Sequence, residues 1–565
     1  MRMRRVLPFS AAVVAVATLW AASGPVSAQA PASTALSGVV SSTEEGKMEG
    51  VLVTARRTGA AFSVTVATDA QGRYAFPMAN LEPGPYALSI RAVGYDLNDP
   101  GPITVAGEKP AKADLTLRKA RDLAAQLTSM EWYLSIPGTP EQKAALVRQT
   151  AACGACHSME RIVRSKHTAE QWPPVIRRMT TYNGDKTSLR RHQKNPGSEK
   201  VPLQGPGASP MFGSVPVTEL AEYLATINLS KASTWPYELK TVPRPKGRAT
   251  KVIVTVYDIP RQPSVMHDLD VDGHGNVWYG NSGWDYIGKL DPKTNTFSEY
   301  ESPNHLPAES KILGVMDIQV DKDNKIWAGL PGPKFGYFDP NTQKWTLFDL
   351  PPASRGISFI APFYGRETIV WGKETGAGLT AYRIDPRTSK VDAFQTFAGA
   401  PPGPHSMYMI DRDAENNAWF QDFGSHNIGT VDGKTGKVTL YPTPTPKAFP
   451  RRGNTDAQGR FWFGEFFADQ LGYFDTKAKT FAEFPMRPYA QPYYARPIPN
   501  GEVWTSSLGT DRVYRFDTTT REFVEYLMPV YYDARKVAYD PSNPRPTIWL
   551  PSKNTAQLIR VQPLD

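Results

Sequence analysis

A tryptophan flanked by strand-forming residues recurs seven times after residue 250 of this 565-residue chain. The occurrences are 42 to 49 residues apart, and most are followed by two further strand-like segments around an aspartate-containing turn, as in YFDPNTQKWTLF. A unit of this length and pattern is typical of a four-stranded blade, and seven blades make a β-propeller. The recurring residues are Trp278, Trp327, Trp371, Trp419, Trp462, Trp504 and Trp549.

The last repeat lacks the outer strand that the others have. It stops at QLIRVQPLD, whereas the segment before the first repeat, residues 251–260 (KVIVTVYDIP), has the character of the missing strand. An open ring would leave unpaired strand edges, which proteins avoid. We therefore predict that residues 251–260 pair with the last blade and close the ring.

The N-terminus has the pattern of an export signal. Three arginines within the first five residues precede a largely apolar run, Ala11–Ala22, and small residues at Val26–Ala28. This order is typical of a Sec-type signal peptide over residues 1–28, and it predicts a periplasmic protein. No later segment of about 18 uninterrupted apolar residues occurs, so we expect no membrane span.

Residues 34–117 alternate between apolar and polar side chains and are interrupted by turn sequences such as DAQG and PGP. This pattern predicts an all-β sandwich. The segment resembles the carboxypeptidase regulatory-like family, which implies a transthyretin-like accessory or adhesive module without catalytic residues. The resemblance rests on Thr68, Asp69, Gly72, Tyr74, Phe76, Leu81, Pro83, Gly84, Tyr86, Gly94 and Tyr95.

Cys153 and Cys156 are the only cysteines of the chain, and His157 follows directly. Two cysteines are too few for a disulfide scaffold. A local redox disulfide would need a strand-helix-strand context, and a zinc site would need further ligands at short spacing. Instead, the motif follows an amphipathic segment whose start has a capping-box pattern, Thr139 with Gln142. The favoured interpretation is one covalent haem c, with thioethers to both cysteines and His157 as the proximal iron ligand.

Residues 139–230 as a whole resemble a small class I cytochrome c domain. The resemblance rests on the C-G-A-C-H motif and on the loop SPMFGSVP, which precedes an amphipathic helix predicted from about Val217. In that family the axial methionine lies in this loop, so the resemblance implies Met211 as the sixth iron ligand. Met179 and His192 are the competing candidates.

Positive charge is concentrated beside this motif. The formal net charge of +9 includes three arginines of the predicted signal peptide, and residues 151–200 hold ten Lys or Arg against four acidic residues. Such a surface would steer an acidic redox partner, or it would only balance the haem propionates. Nucleic acid is not an expected partner, because the chain carries an export signal and aromatic residues do not interleave with the basic run.

The predicted fold class is therefore multidomain: a transthyretin/Ig-like β-sandwich, an all-α cytochrome c domain and a seven-bladed β-propeller. Pro-rich and helical stretches mark the boundaries between these parts. The predicted divisions are a signal peptide (1–28), the sandwich (34–117), a helical linker (118–138), the cytochrome c domain (139–230), a linker (231–249) and the propeller (250–565).

The propeller resembles the virginiamycin B lyase (streptogramin lyase) family, in which a Mg²⁺-assisted elimination opens a cyclic ester. The resemblance implies a substrate histidine near His405 and a metal carboxylate at Glu465. At the position of the general base, however, this chain has Arg451, and a second metal carboxylate is replaced by Phe449. Arginine stays protonated and is a poor base, and one carboxylate is thin support for Mg²⁺. We therefore do not expect the lyase reaction.

The predicted channel of the propeller carries arginine, tyrosine and histidine, which suits a small anionic or aromatic ligand. Two functions follow. The first is haem c electron transfer, extending to a haem-dependent oxidoreductase with the propeller as substrate- or partner-binding domain. The alternative is a binding module in which the propeller and sandwich bind a glycan, peptide or protein and are docked to an electron-transfer partner. Lyase activity is a distant third. The further channel candidates are His267, Met316, Glu374, Asp422, Arg452, Tyr493, Arg496 and Arg535.

Overall fold

The computed structural model of the protein describes three connected parts: a β-sandwich, a helical segment and a propeller. The description covers residues 33–565 apart from several gaps. The residues left out within this range are 108, 151–156, 182–215, 262–263, 282–285, 304–313, 331, 353, 362–368, 377 and 554.

The sandwich packs two sheets over a core of alternating apolar residues such as Val40, Val53, Phe76 and Leu115. One sheet has β1 at its centre, paired with β2, β5, β9 and β10; the other contains β4, β3, β6 and β8 in that order. The strands are β1 (Thr34–Ser42), β2 (Gly46–Lys47), β3 (Leu52–Arg57), β4 (Phe62–Ala67), β5 (Arg73–Pro77), β6 (Gly84–Arg91), β7 (Tyr95–Leu97), β8 (Ile103–Val105), β9 (Ala111–Lys112) and β10 (Leu115–Lys119).

Five short helices follow the sandwich in the described residues. The predicted capping box is present, since Thr139 N–H donates to Gln142 Oε1 (2.9 Å) and Gln142 N–H donates to Thr139 Oγ1 (3.2 Å). The helices are α1 (Ser129–Ser135), α2 (Pro140–Thr150), α3 (Glu160–Val163), α4 (Trp172–Thr181) and α5 (Val217–Ile227).

The fold class predicted for this part, a separate all-α cytochrome c domain, is corrected by the described residues. The chain is mostly β, and these helices are no longer than eleven residues. Their core, built around Trp132 and Trp172, is completed by Trp235 from the following linker and by Phe467 and Tyr489 from the propeller. The helical segment therefore packs as a layer on the propeller and shares its core with its neighbours.

The predicted single helix over residues 118–138 is also shorter than expected. Strand β10 extends to Lys119, and a short 3-10 turn follows at Leu123–Gln126. Thr128 then caps the start of α1 through a capping box with Glu131. A new helix therefore begins inside the range for which the sequence predicts one continuous helix.

The first four blades of the propeller are regular four-stranded antiparallel sheets, ordered from the ring centre outwards. Blade 1 has β12 (Met266–Val271), β13 (Val277–Asn281), β14 (Tyr286–Asp291) and β15 (Thr296–Glu301); blade 2 has β16 (Ile318–Val320), β17 (Ile326–Ala328), β18 (Lys334–Asp339) and β19 (Lys344–Asp349); blade 3 has β20 (Ile357–Ala361), β21 (Val370–Glu374), β22 (Thr380–Asp385) and β23 (Lys390–Gln395); blade 4 has β24 (Met407–Arg412), β25 (Ala418–Asp422), β26 (Asn427–Val431) and β27 (Val438–Pro442).

The last three blades complete the ring with two irregularities. The inner strand of blade 5 is only two residues long and pairs in parallel with blade 6, and the outer strand of blade 7 comes from the chain before blade 1. Blade 5 has β28 (Arg452–Gly453), β29 (Arg460–Glu465), β30 (Gln470–Asp475) and β31 (Thr480–Pro485); blade 6 has β32 (Pro492–Pro497), β33 (Glu502–Ser507), β34 (Arg512–Asp517) and β35 (Phe523–Leu527); blade 7 has β36 (Ala538–Tyr539), β37 (Ile548–Ser552), β38 (Gln557–Pro563) and β11 (Val252–Asp258).

The predicted ring closure is confirmed: β11 pairs antiparallel with β38 along its whole length. Its other edge pairs with β4 of the sandwich, from Ile253 opposite Val66 to Tyr257 opposite Phe62. Val254 packs into the propeller core, whereas Ile253 packs into the sandwich core. Both faces of the strand are thus buried, which explains why its sequence is a nearly continuous apolar run.

The repeated tryptophans all lie in the second strand of their blade and are at most 5 % exposed. In four blades the indole N–H donates to an aspartate six residues earlier, at 2.8 to 3.0 Å. That aspartate lies in the hairpin turn between the first two strands of the blade. The four pairs are Asp272–Trp278, Asp321–Trp327, Asp413–Trp419 and Asp456–Trp462.

Candidate functional site

Arg452 lies at the centre of the ring and is fully buried. Its guanidinium pairs with Asp268 of blade 1 through two hydrogen bonds, of 2.6 and 2.5 Å. The guanidinium also donates to the backbone carbonyl of Arg535 (2.6 Å), which precedes β36 of blade 7. It lies 4.0 Å from the carboxylate of Asp317, which directly precedes β16 of blade 2. These contacts link the inner edges of four blades through a single cation.

The remaining blades also contact Arg452. Its Nε lies 3.4 Å from Met409 Sδ of blade 4, and its guanidinium lies 4.5 Å from the Phe359 ring of blade 3 and 4.9 Å from the Tyr494 ring of blade 6. Burial would raise the pKa of Asp268, but Arg452 holds it well below its usual value. The pair is therefore ionised and closes the axis of the ring.

Arg451, the residue before this plug, occupies a different environment. Its guanidinium carbon lies 3.7 Å from the centre of the Phe466 ring, 4.2 Å from Phe423, 4.5 Å from Tyr493 and 5.0 Å from Tyr408. We call Arg451 and these four rings the arginine cage. Cation–π contacts of this kind favour a guanidinium over the faces of aromatic rings.

Arg451 forms no salt bridge in the part of the chain that the structure describes, although the charge of Asp533 raises its pKa. The residue is 3 % exposed, and its Nε is buried without a hydrogen-bond partner. Burial lowers the pKa of Arg451, although guanidinium remains protonated at neutral pH. An unpaired buried cation is costly, so a negatively charged partner at this place would be stabilising.

The neighbouring cation, Arg535, is neutralised. It forms two hydrogen bonds to Asp533, of 2.9 and 3.0 Å, and a third to the Tyr493 hydroxyl at 3.3 Å. The Tyr493 hydroxyl in turn contacts the Tyr408 hydroxyl. This chain of polar groups fixes the two tyrosine rings of the cage, so the cage is held in place from the blade 7 side.

Glu465 is the last residue of β29. It does not neutralise Arg451, because no ion pair joins the two residues in the described structure. Both of its carboxylate oxygens are buried without hydrogen-bond partners in the described structure. Burial raises the pKa of Glu465 to about 9, and the nearby Glu483 adds to this effect. The carboxyl is therefore protonated at neutral pH and is a poor metal ligand.

His405 is engaged by two acceptors. Its Nδ1 lies 2.7 Å from Asp422 Oδ2 and its Nε2 lies 2.8 Å from the Pro401 carbonyl, while the ring stacks on Phe397. Burial lowers the pKa of His405, but the hydrogen bonds to the Pro401 carbonyl and Asp422 outweigh it and raise the pKa above its usual value. Both ring nitrogens thus donate, and the residue holds a loop rather than a substrate.

This arrangement predicts a pH-dependent contribution of His405 to stability. A pKa that is higher in the folded state stabilises the fold below about pH 6.5, and the contribution is lost as the pH rises through the folded-state pKa. We expect His405→Ala to reduce the free energy of unfolding more at pH 5 than at pH 8, as measured by urea denaturation. The exposed His274→Ala is the matched control, and an equal loss for His405→Ala at both pH values would contradict the assignment.

The other predicted channel residues are distributed over the ring centre. His267 is buried, with Nδ1 2.8 Å from Asp268, and its pKa is lowered by burial. Glu374 ends β21 and is half-buried, and Arg496 approaches Asn454 Oδ1 at 3.3 Å. The structure therefore brings Tyr493 and Arg535 to Arg451, and His267 to Arg452. His405, Asp422, Glu374 and Arg496 are engaged elsewhere.

The cofactor prediction, haem c with Mg²⁺ as a less favoured addition, is corrected. The described residues contain no group of three or more His, Cys, Asp or Glu that could hold a metal ion. Cys153, Cys156, Met211 and His192 lie outside the described residues. His157 is described, and its Nδ1 lies 2.9 Å from the Ser158 carbonyl.

Two further predictions for residues 139–230 concern the alternative axial methionine and the basic run. Met179, the alternative axial methionine, lies in α4 and is 36 % exposed. Much of the basic run 151–200, expected to face a redox partner, lies outside the described residues, and within it Arg164 is paired with Glu160 and Asp122. Arg161, Lys166, Arg177 and Arg178 of this run are exposed, and the acidic partner stays a prediction.

Sequence reasoning missed Asp268, Tyr408, Phe423 and Phe466. In blade 4 it selected His405, three residues before Tyr408, because histidine was expected from the family resemblance. Tyr408 and Tyr493 are each the second residue of an inner strand, in blades 4 and 6, and both contact Arg451. A comparison of the strands MYMI and PYYA would have revealed the recurring tyrosine.

Residues 35–118 match the carboxypeptidase regulatory-like domain, which confirms the family expected for the sandwich. No curated protein matches the chain. Among solved structures, a streptogramin B lyase is 19 % identical, with 56 % of this chain and 100 % of that chain covered and a TM-score of 0.49. The virginiamycin B lyase of Staphylococcus aureus is 19 % identical over 55 % of this chain and 99 % of that chain, with a TM-score of 0.47.

A third similar structure is the extracellular domain of a putative one-component system from B. thetaiotaomicron. It is 15 % identical, covers 53 % of this chain and 40 % of that chain, and has a TM-score of 0.42. The strand pairing described above, rather than these likenesses, defines the propeller. Within the described residues, no helix is both long and apolar enough to pass through a bilayer.

Proposed function

We propose that this chain is an exported binding protein whose propeller holds a small ligand at the arginine cage. One observation carries the proposal: among the arginines at the ring centre, Arg452 is paired with Asp268 and Arg535 with Asp533, whereas Arg451 is buried and unpaired. Buried charges in proteins are normally paired, so an unpaired one marks a site whose partner comes from outside.

The surroundings of Arg451 suit binding better than the chemistry of the lyase family. His405, the histidine that the lyase resemblance placed near the substrate, is held by Asp422 and the Pro401 carbonyl. Glu465, the carboxylate that the resemblance assigned to the metal, is protonated at neutral pH. The sandwich, fixed to blade 7, is an accessory module in this proposal, and it adds a second surface for a protein or glycan partner.

Ligand-observed NMR with a chemically mixed fragment set tests the proposal on the full-length protein. We expect fragments to bind the wild type and to bind the Tyr408→Ala variant about tenfold more weakly, because the variant loses a ring of the cage. Tyr441→Ala, on the half-buried outer strand of blade 4, is the matched control and keeps the affinity. If no fragment binds the Tyr408→Ala variant more weakly than the wild type, the proposed function is wrong.

A further inference from the structure

The ligand class can be narrowed from the charges at the arginine cage. The cage and its nearest polar neighbours contain two arginines, Arg451 and Arg535, and one acidic residue, Asp533, which pairs with Arg535. Arg451 has no ion-pair partner among the described residues, so a monovalent anion would neutralise it, whereas a divalent anion would leave a negative charge in a buried place.

The shape of the donor points to a carboxylate. A guanidinium presents a planar fork of N–H groups that matches the two oxygens of a carboxylate and forms two parallel, charge-assisted hydrogen bonds. Flat rings enclose Arg451, with the Phe466 centre 3.7 Å from its guanidinium carbon. A carboxylate bound to this fork would supply the charge partner that Arg451 lacks among the described residues.

The rim of the cage is aromatic and only partly buried. Phe449 and Phe467 are half-buried, their rings are 5.2 Å apart, and Phe449 lies 5.9 Å from Phe423. Phe467 also packs against the core of the helical segment, so the rim lies where the helices meet the propeller. An apolar ring attached to the carboxylate would stack here and bury apolar surface.

From these observations we infer that the arginine cage takes a small aromatic monocarboxylate, with its carboxylate on Arg451 and its ring on the Phe449–Phe467 rim. This inference rests on the proposed function and names the ligand class of the same site. It goes beyond the lyase resemblance, since it requires no metal, no base and no bond breaking.

Titration calorimetry of the full-length protein with benzoate tests the inference. Acetate has the same charge without the ring, and benzyl alcohol has the ring without the charge. Inorganic phosphate, titrated at about pH 8.5 where it is mainly a dianion, is the divalent comparison. We expect benzoate to bind most tightly, and Arg451→Gln to weaken it by about 10- to 100-fold, as for loss of a charge-assisted hydrogen-bond pair. Arg387→Gln, on an exposed turn of blade 3, is the control and leaves the affinity unchanged.

A second variant covers the case in which Arg451→Gln does not fold. Phe449→Ala removes part of the rim, so it should weaken benzoate several-fold and leave acetate unaffected. Equal binding of benzoate by the wild type and Arg451→Gln, tighter binding of phosphate, or equal binding of chloride and benzoate would each overturn the inference. Fragments that are neutral or cationic but depend on Tyr408 would overturn it while leaving the proposed function intact.

Discussion

Arg452→Ala is expected to lower the free energy of unfolding by about 3–5 kcal/mol. The substitution leaves Asp268 as a buried carboxylate without its partner and removes the cation that contacts the inner edges of the ring. Urea denaturation of the full-length protein measures the loss. Arg387→Ala breaks an exposed ion pair with Asp385 and should cost less than about 1 kcal/mol.

A double substitution separates the charge from the packing. Arg452→Met combined with Asp268→Leu replaces the buried pair by apolar groups, so it should be much less destabilising than Arg452→Ala alone. If Arg452→Ala costs no more than Arg387→Ala, the central arginine is not the axial contact that the geometry indicates.

Trp462→Ala should cost a similar amount, about 3–5 kcal/mol, because it opens a cavity between blades 5 and 6. Trp462 is fully buried, packs 4.7 Å from the Tyr473 ring and 6.0 Å from the Phe516 ring, and donates its indole N–H to Asp456 at 2.8 Å. Thermal and urea unfolding both report this loss.

Trp345→Ala is the matched control, because Trp345 is half-buried on the outer strand of blade 2. Its loss should be clearly smaller. Trp462→Phe keeps one aromatic ring but loses part of the buried volume and the indole hydrogen bond, so it should fall between the two. Equal losses for Trp462→Ala and Trp345→Ala would show that the repeated tryptophans do not anchor the blade interfaces.

The propeller could be predicted because its repeat is carried by local sequence. Each blade needs strand-forming residues around one large buried ring and a turn at a fixed distance, and four blades add an aspartate six residues before the tryptophan. These requirements recur independently of the rest of the chain. The closing strand was predictable for the same reason, although its second partner, β4, was not, since one strand sequence fits many edges.

The helical segment was harder to predict because short helices depend on tertiary packing. Trp132 and Trp172 find their neighbours in a linker and in propeller loops far away in sequence, including Tyr489. An amphipathic pattern gives the helix but not its packing partner. The single helix expected over residues 118–138 does not form, because a capping box at Thr128 begins a new helix, α1, within this range.

The candidate site was predicted only in part. Arg451, Tyr493 and Arg535 were selected because their position before or within an inner strand recurs with the blades. The pairing that distinguishes Arg451 from Arg452 could not be predicted, since adjacent residues of a strand face opposite sides and their partners lie on other blades. His405 shows the limit of resemblance: a histidine at nearly the right place proved to be three residues from the ring that contacts Arg451.

The eight-stranded sheet that runs from the sandwich to the centre of blade 7 determines how the protein would bear mechanical load. Strands β4 and β11 are antiparallel neighbours, so a pull along them strains their backbone hydrogen bonds together, in shear, rather than one after another. The same β11 closes the ring against β38. While β4 of the sandwich stays paired with the outer edge of β11, blade 7 cannot fray from that edge. The ring therefore opens only after the pairing of β4 with β11 has broken.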